Sequence, residues 1–178
     1  ASVPIDRRLY AQDIRGSEAH AEMLAKQGII TEEEAALILG GLEQIKAEIE
    51  RGAFEFRTAL EDVHMNIEAR LKERIGPVGG KLHTARSRND QVLVDLKLFL
   101  RDELRQTAEA VKTVFDRLLT LSEQYKEILM PGYTHLQIAM PSSFGLWFGA
   151  YAETLVDDMR LIAAAWHIAN QNPLGSAA

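Results

Sequence analysis

A long run without proline or glycine, residues 89–128, is the feature that most constrains what this chain can fold into. Apolar residues recur along the run at alternating steps near three and four, the spacing of a helix that packs along one stripe. They are Leu93, Leu100, Leu104, Val111, Val114, Leu118, Leu121, Tyr125 and Ile128. A helix of roughly 38 residues would be about 57 Å long, well beyond the width of a small domain. It therefore needs packing partners along its whole length.

The rest of the chain also predicts helices. A capping box formed by Thr31 and Glu34 opens one of them. After Met130-Pro131-Gly132 we expect a polar turn, and no stretch predicts a convincing β-strand. The fold class is therefore expected to be all-α. Besides the long helix, the predicted helices cover residues 17–27, 31–51, 60–75 and 141–170.

The last predicted helix carries apolar side chains on nearly all faces, from Phe144 and Trp147 to Trp166 and Ile168. A helix that is hydrophobic all round belongs in the middle of a large assembly. Because one chain of 178 residues offers few neighbours to cover it, we expect burial against other subunits.

Composition excludes several classes of function. The net charge of -6 argues against non-specific binding of nucleic acid, which needs a basic surface. The chain has no cysteine, which excludes disulfides and thiolate metal sites and suits a reducing cytosol. There is no secretory signal pattern at the start, and the most apolar stretch is too short to span a bilayer. We therefore expect a cytoplasmic protein that has no membrane or nucleic-acid partner.

The stretch GKLHTARSRNDQV, residues 80–92, places many hydrogen-bond donors at the start of the long predicted helix. The first N–H groups of a helix are unpaired, and the helix dipole puts partial positive charge there. With Arg86 and Arg88 added, this end predicts a receptor for a carboxylate or a phosphate. The alternative is an arginine-rich linker with an ordinary helix cap.

Other candidate groups are weaker by themselves. His135, in the predicted turn, could act as a general acid or base, although a single histidine is more often structural. His64 and Glu68 have a possible metal-ligand spacing, but they are too few ligands and HExxH is absent, so we expect no metal. The motifs GxGxxG, the P-loop and GxSxG are also absent, which argues against nucleotide-cofactor enzymes and α/β hydrolases.

Five stretches together resemble the argininosuccinate lyase family of the fumarase/aspartase superfamily. They are DRRLYAQDIRGSEAHAEML, EDVHMNIEARL, GKLHTARSRNDQV, MPGYTHLQ and NPLGS, in the family's order and over essentially the whole chain. The resemblance implies a homotetramer in which long helices form a central bundle and segments of three subunits meet at each active site. It divides the chain into an N-terminal helical domain, residues 1–85, and the start of the bundle domain, residues 86–178.

The implied reaction is the reversible elimination of argininosuccinate to L-arginine and fumarate, a step of arginine biosynthesis, without metal or organic cofactor. The resemblance also implies a role for each matching residue. Proton transfer would belong to His135, with Thr134 beside it. The substrate-binding residues would be Ser17, Ser87, Arg88, Asn89, His64, Asn66 and Gln137, of which Arg88 and Asn89 bind the succinate carboxylates and Gln137 steadies the turn.

Two departures from the family pattern stand out. Ile138 and Met140 occupy positions where the family usually has arginine and glutamine, so local electrostatics and substrate preference can differ. The superfamily's S-S-x-M-P-x-K-x-N loop, which carries the presumed base, is not in the sequence. We therefore expect an N-terminal portion of a longer enzyme that is inactive alone. The alternatives are another fumarate-releasing lyase of the superfamily and a non-catalytic helical scaffold such as a lens crystallin.

Overall fold

The structure, a computed structural model, describes residues 1–175. The NPLGS motif reaches one residue beyond them. The chain separates into two compact units, one formed by residues 1–99 with the segment that begins at Asn172, and the other by residues 100–171. The domain boundary at residue 85 stays a prediction, because it rests on the family resemblance.

Helices make up most of both units, as the sequence predicts. Six α-helices and two β-strands occur among the described residues. They are α1 (Val3–Asp6), α2 (Tyr10–Lys26), α3 (Glu32–Glu50), α4 (Val63–Ile75), α5 (Arg88–Gln124), β1 (Leu129–Thr134), β2 (Gln137–Ser143) and α6 (Phe144–Ala169). Short 3₁₀ segments at Arg7–Leu9, Thr58–Leu60 and Gly76–His83 connect them.

Side-chain caps fix the start of α3 and α4. The Thr31 hydroxyl accepts a hydrogen bond from the Glu34 amide at 3.2 Å, and the Glu34 carboxylate accepts from the Thr31 amide at 3.1 Å. This confirms the predicted capping box. The Asp62 carboxylate likewise accepts from the Met65 amide at 2.6 Å, so α4 begins at Val63 rather than at residue 60.

The core of the first unit lies where α2, α3 and α4 pack together. Its largest fully buried apolar side chains recur at helical spacing and come from all three helices and the following 3₁₀ segment. Burying each of them contributes about 1.5–3 kcal/mol relative to exposure. They are Ile14, Leu24, Ile38, Leu42, Ile45, Ile67, Leu71 and Leu82.

The long helix is confirmed. Helix α5 spans 37 residues from Arg88 to Gln124 and so begins one residue before the prediction and ends four residues before it. Its residues up to Phe99 belong to the first unit, and those from Leu100 belong to the second.

A β-hairpin replaces the predicted polar turn and the predicted first turn of the last helix. Strands β1 and β2 pair antiparallel, with Pro131 opposite Pro141 and an irregularity between Pro131 and Tyr133. Each strand of a two-stranded ribbon has a free edge, so it tolerates prolines that lack an N–H donor. The expectation of no strand was therefore wrong here. Helix α6 begins only at Phe144, where the Ser143 hydroxyl accepts from the Leu146 amide at 3.1 Å.

The two residues of the hairpin loop explain why the sequence did not predict it. His135 and Leu136 both have positive φ, 48° and 63°. A two-residue hairpin loop with positive φ at both positions usually contains glycine, asparagine or aspartate. Here neither residue is of that kind, so the local sequence gives no hairpin signal.

Helix α6 leaves large apolar side chains exposed in this single chain, among them Leu146 at 67% and Leu161 at 71%. This exposure agrees with the predicted burial against other subunits, which stays a prediction. Among the described residues, none of the helices combines the length and apolarity that crossing a membrane requires.

Gly41 provides a test of the packing between α3 and α4. A Cβ atom at Gly41 would lie 2.5 Å from Cδ1 of the fully buried Leu71, whereas one at the adjacent Gly40 would meet nothing within 4 Å. We expect Gly41→Ala to cost about 1–3 kcal/mol of stability through overpacking. Gly40→Ala is the matched control and should be neutral or stabilising by up to about 1 kcal/mol. Thermal unfolding followed by circular dichroism measures both, and equal Tm values would contradict the packing described.

Candidate active site

A buried polar network lies where α2, α4 and α5 meet in the first unit. Helix α2 contributes Asp13 and Ser17, α4 contributes His64, and α5 contributes Gln91 and Asp95. All five residues are buried, with at most 2% of their surface exposed. Polar groups at such depth need partners, so their contacts define the site.

His64 lies between two carboxyl groups. Its Nδ1 atom is 3.0 Å from Oδ1 of Asp13 and 3.3 Å from Oδ2 of Asp95. These are ion-pair distances, but the angles at Nδ1 do not fit a directed hydrogen bond to either oxygen. The three side chains therefore join α2, α4 and α5 through one close electrostatic contact.

The two carboxyl groups differ in protonation. Burial raises the pKa of Asp13, but His64, Arg86 and the Gln91 amide together outweigh burial, so the net pKa lies below its ordinary value. Burial and the adjacent negative charge of Asp13 raise the pKa of Asp95 to about 9. Buried carboxyl groups with oxygens within 4.8 Å of each other do not readily both ionise. At neutral pH Asp13 is therefore the anion and Asp95 carries the proton.

The same three groups have ligand atoms within 4.8 Å of one another and could approach a metal ion. Three protein ligands are the number that catalytic metal sites use, with water completing the coordination. The positive Arg86, however, acts on both carboxyl groups, which disfavours a second cation between them. The proton on Asp95 accounts for the charge balance of this cluster without a metal, and the expectation of no metal stays a prediction.

Arg86 points into the protein rather than towards solvent. It is buried, and its Nη2 donates a hydrogen bond to the Ser17 hydroxyl at 2.8 Å. Burial lowers the pKa of Arg86, and the negative charge of Asp13 opposes this effect. The interpretation of Arg86 as part of a surface anion receptor is therefore replaced by a role in holding Ser17. Ser17 itself lies inside α2 and does not begin a helix.

Arg88, at the first residue of α5, is partly exposed and already surrounded by acids. Its Nη1 donates to Oε1 of Glu68 at 3.0 Å, and its Nε lies 3.6 Å from Oδ2 of Asp62. The same Nη1 also donates to Oε1 of Gln91. Glu68 is shared, because Nδ1 of His83 lies 3.1 Å from it. These contacts hold the Arg88 side chain and partly compensate its charge.

Ser87 and Asn89 flank Arg88 as predicted at the helix start. The Ser87 hydroxyl accepts a hydrogen bond from the Asn89 amide at 3.3 Å, and the Asn89 side chain is exposed. Asn66, by contrast, is buried, and its side-chain amide forms hydrogen bonds with backbone groups. Its Oδ1 accepts from the Arg57 amide at 2.7 Å, and its Nδ2 donates to the Arg57 and Asp62 carbonyls at 3.1 and 2.8 Å.

The remaining predicted site residues lie in the second unit, at the tip of the hairpin. Thr134 ends β1 and is paired with Gln137, the first residue of β2, and His135 is the first residue of the loop between them. All three are exposed. The structure thus groups Ser17, His64 and Arg88 in one unit and the hairpin residues in the other.

Asp13, Gln91 and Asp95 are the site residues that sequence reasoning missed. A signal was present in their spacing, because Asp13 and Ser17, like Gln91 and Asp95, are four residues apart and so share one helix face. Polar residues repeated on the buried face of a helix indicate an internal network. Which helices meet there is decided by tertiary packing, which the spacing does not show.

Comparison of the sequence with known protein families identifies the family of this chain. A family model described as lyase matches residues 1–178. The chain belongs to the lyase family.

Two curated relatives of this lyase-family chain are both argininosuccinate lyases. The one from Bacteroides thetaiotaomicron is 56% identical over 174 residues, which are 98% of this chain and 39% of the relative. The one from Syntrophotalea carbinolica is 54% identical over 178 residues, which are 100% of this chain and 39% of the relative. The chain thus spans about two fifths of the length of the curated relatives it matches.

A solved structure agrees with the fold of this lyase-family chain. It is an EDDS lyase variant with bound fumarate, with a TM-score of 0.86 and 33% sequence identity over 98% of this chain and 34% of that one. The all-α fold class is confirmed, with the hairpin as a local addition.

The buried proton predicts a pH dependence of stability. Folded Asp95 keeps its proton up to about pH 9, whereas an unfolded aspartate loses it near pH 3.9. Through Asp95, folding therefore takes up a proton between these values, so the contribution of Asp95 to stability falls as the pH rises from about 4 to about 9. The pKa of Asp13 is lowered, so Asp13 stays ionised in the folded protein across that range and affects the slope only below about pH 5.

Asp95→Asn mimics the protonated carboxyl group and should flatten this fall in Tm. The comparison is thermal unfolding of wild-type and variant protein at a series of pH values. Glu50→Gln, an exposed carboxyl-to-amide change, serves as the control and should leave the slope as in wild type. An unaltered slope in Asp95→Asn would show that Asp95 is not the group that holds the proton.

Proposed function

We propose that the protein is an argininosuccinate lyase, which reversibly cleaves argininosuccinate into L-arginine and fumarate. The observation that carries the proposal is the identity of more than half the aligned residues to argininosuccinate lyases over 98% of the chain. The chain spans 39% of such a relative, so the activity belongs to the complete natural protein that contains this sequence, called the full-length protein below.

The chemistry of this reaction fits the residues that the chain supplies. Breaking a C–N bond β to a carboxylate requires removal of a weakly acidic C–H proton, and the resulting negative charge spreads into the carboxylate. Fixed donors around that carboxylate stabilise the transition state, and the loss of one typically costs about 3 kcal/mol. An acid must then protonate the departing nitrogen, a contribution of ~10²–10⁴-fold.

Arg88 and Asn89 are the proposed donors to the succinate carboxylates, with Ser87 beside them. The contacts of Arg88 with Glu68, Asp62 and Gln91 support this role because they hold its guanidinium in place, and a donor that does not reorganise stabilises developing charge best.

Ser17, held by Arg86, is proposed to contact the substrate from the adjacent helix. His64 and Asn66 support the same wall of the site through their buried contacts.

Thr134, His135 and Gln137 are proposed to act from the hairpin of the second unit. Their exposure leaves them free to meet a substrate. In this proposal His135 transfers a proton, Thr134 contacts the substrate, and Gln137 steadies the loop. The reaction needs no metal or organic cofactor.

The proposed assembly is a cytoplasmic homotetramer in which helices α5 and α6 join a central bundle. The apolar side chains exposed along α6 support this arrangement, since they would be covered by neighbouring subunits. The bundle domain would begin at residue 86, after an N-terminal domain of residues 1–85.

A second candidate is another lyase of the superfamily that releases fumarate from a different amine. It is favoured by the similarity to the EDDS lyase variant with bound fumarate and by Ile138 and Met140, which replace two polar residues of the family pattern. A non-catalytic scaffold is the remaining alternative.

Fumarate release from the full-length protein tests the proposal. We expect turnover of argininosuccinate, followed by the ultraviolet absorbance of fumarate, and little turnover of adenylosuccinate or aspartate. His135→Asn should lower kcat by ~10²–10⁴-fold, while His167→Asn, a control on α6, should retain activity. Preference for another substrate would favour the second candidate, and full function in His135→Asn would favour the scaffold.

The 178-residue chain alone should release no fumarate from argininosuccinate. The reason is that the proposed site needs groups from several subunits and the loop carrying the presumed base. The measurement is the same absorbance assay at high protein concentration, with the full-length protein as the positive control. Turnover by the purified chain would contradict this division of the site.

A further inference from the structure

The side-chain amide of Gln91 connects the buried network to Arg88. Gln91 lies one turn after Arg88 on α5 and is 2% exposed. Its Nε2 donates to Oδ1 of Asp13 at 2.6 Å, and its Oε1 accepts from Nη1 of Arg88. One amide thus joins a buried anion on α2 to a cation at the start of α5.

The orientation of this amide is set by its two partners. An ionised carboxylate only accepts hydrogen bonds, and a guanidinium only donates them. Asp13 is ionised because His64 and Arg86 favour its charged form. The Gln91 NH₂ group must therefore face Asp13, which leaves its carbonyl oxygen for Arg88. A flipped amide would place two acceptors together on one side and two donors together on the other.

Arg88 depends on this contact for its direction. Glu68 and Asp62, both on or capping α4, hold the guanidinium from one helix. Gln91 holds it from α5 and, through Asp13, from α2. The position of Asp13 is in turn fixed by His64. A guanidinium tied to three helices presents its free N–H groups in one direction, whereas two carboxylates alone allow it to swing between them.

We propose that Gln91 is a positioning residue for Arg88, and that its amide, oriented by Asp13, sets the guanidinium in the direction that receives a substrate carboxylate. The inference rests on the proposed function in that Arg88 binds a carboxylate of the substrate or of fumarate. Gln91 itself touches neither in this arrangement and acts through Arg88.

The test uses the full-length protein and replaces the amide in two ways. Gln91→Met keeps the side-chain length but removes both hydrogen bonds. Gln91→Glu keeps the shape but sets a carboxylate against Asp13. We expect each to raise the KM for argininosuccinate and the Kd for fumarate roughly tenfold or more, the effect of losing a hydrogen bond to a charged group. The effect on kcat should be smaller, and Gln106→Leu, an exposed control on the same helix, should change neither constant.

A polarity swap separates positioning from ordinary loss of packing. In Asp13→Asn combined with Gln91→Glu, the new amide donates to the new carboxylate, which can still accept from Arg88. This double variant should bind fumarate more tightly than Gln91→Glu alone. The proposal is overturned if Gln91→Met folds with unchanged KM and Kd, or if the double variant is no better than Gln91→Glu.

If the variants do not fold, the proposal can still be tested on the wild-type protein. In its crystal structure with fumarate, Gln91 must contact both Asp13 and Arg88 while Arg88 contacts a fumarate carboxylate, and absence of either set of contacts overturns the proposal. Fumarate binding, measured by calorimetry, also separates the two claims. Wild-type protein that binds fumarate without cleaving argininosuccinate refutes the proposed function alone, whereas wild-type protein that binds no fumarate refutes both.

Discussion

The contact of His64 with Asp13 and Asp95 is the interaction on which the first unit depends. It is the point where α2, α4 and α5 meet through polar side chains rather than through apolar packing. Removing two carboxyl groups from water is costly, and the cost is limited because one of them keeps its proton. The apolar core formed by α2, α3 and α4 supplies the stability that allows this polar junction to be buried. The junction in turn holds the N-terminal turns of α5, from which Arg88 extends.

The sequence predicted those parts of the fold that are decided locally. The capping box at Thr31 and the length of α5 depend on residues close together in the chain, so spacing was sufficient. The β-hairpin was not predicted, because its pairing joins residues across a loop and because His135 and Leu136 adopt positive φ without the residue types that usually signal it. Residues 141–143, which were predicted to be the first turn of the last helix, belong to β2 because they pair with β1 across the loop.

The candidate site shows the same division between local and tertiary information. Ser17, Arg88 and His135 could be singled out because each lies in a motif that reads along the chain. The side chains that contact these motifs from distant parts of the sequence could not be predicted in the same way. Arg86 reaches Ser17 across 69 residues of sequence, and Gln91 reaches Asp13 across 78. In the sequence Asp95 has the position of an ordinary polar residue on an amphipathic helix, and only packing against α2 and α4 buries it.

Charge compensation around Arg88 links folding to the proposed chemistry. An arginine kept free for a substrate would leave an unpaired charge in a partly buried place, which opposes folding. Glu68 and Asp62 remove that penalty within the first unit itself. A single substrate carboxylate then competes with these acids and gains little, whereas a dicarboxylate gains additional contacts from donors beside Arg88. Under the proposed function, the compensated arginine would therefore favour a ligand with two carboxylates over one with a single carboxylate, the discrimination that a fumarate-releasing enzyme requires.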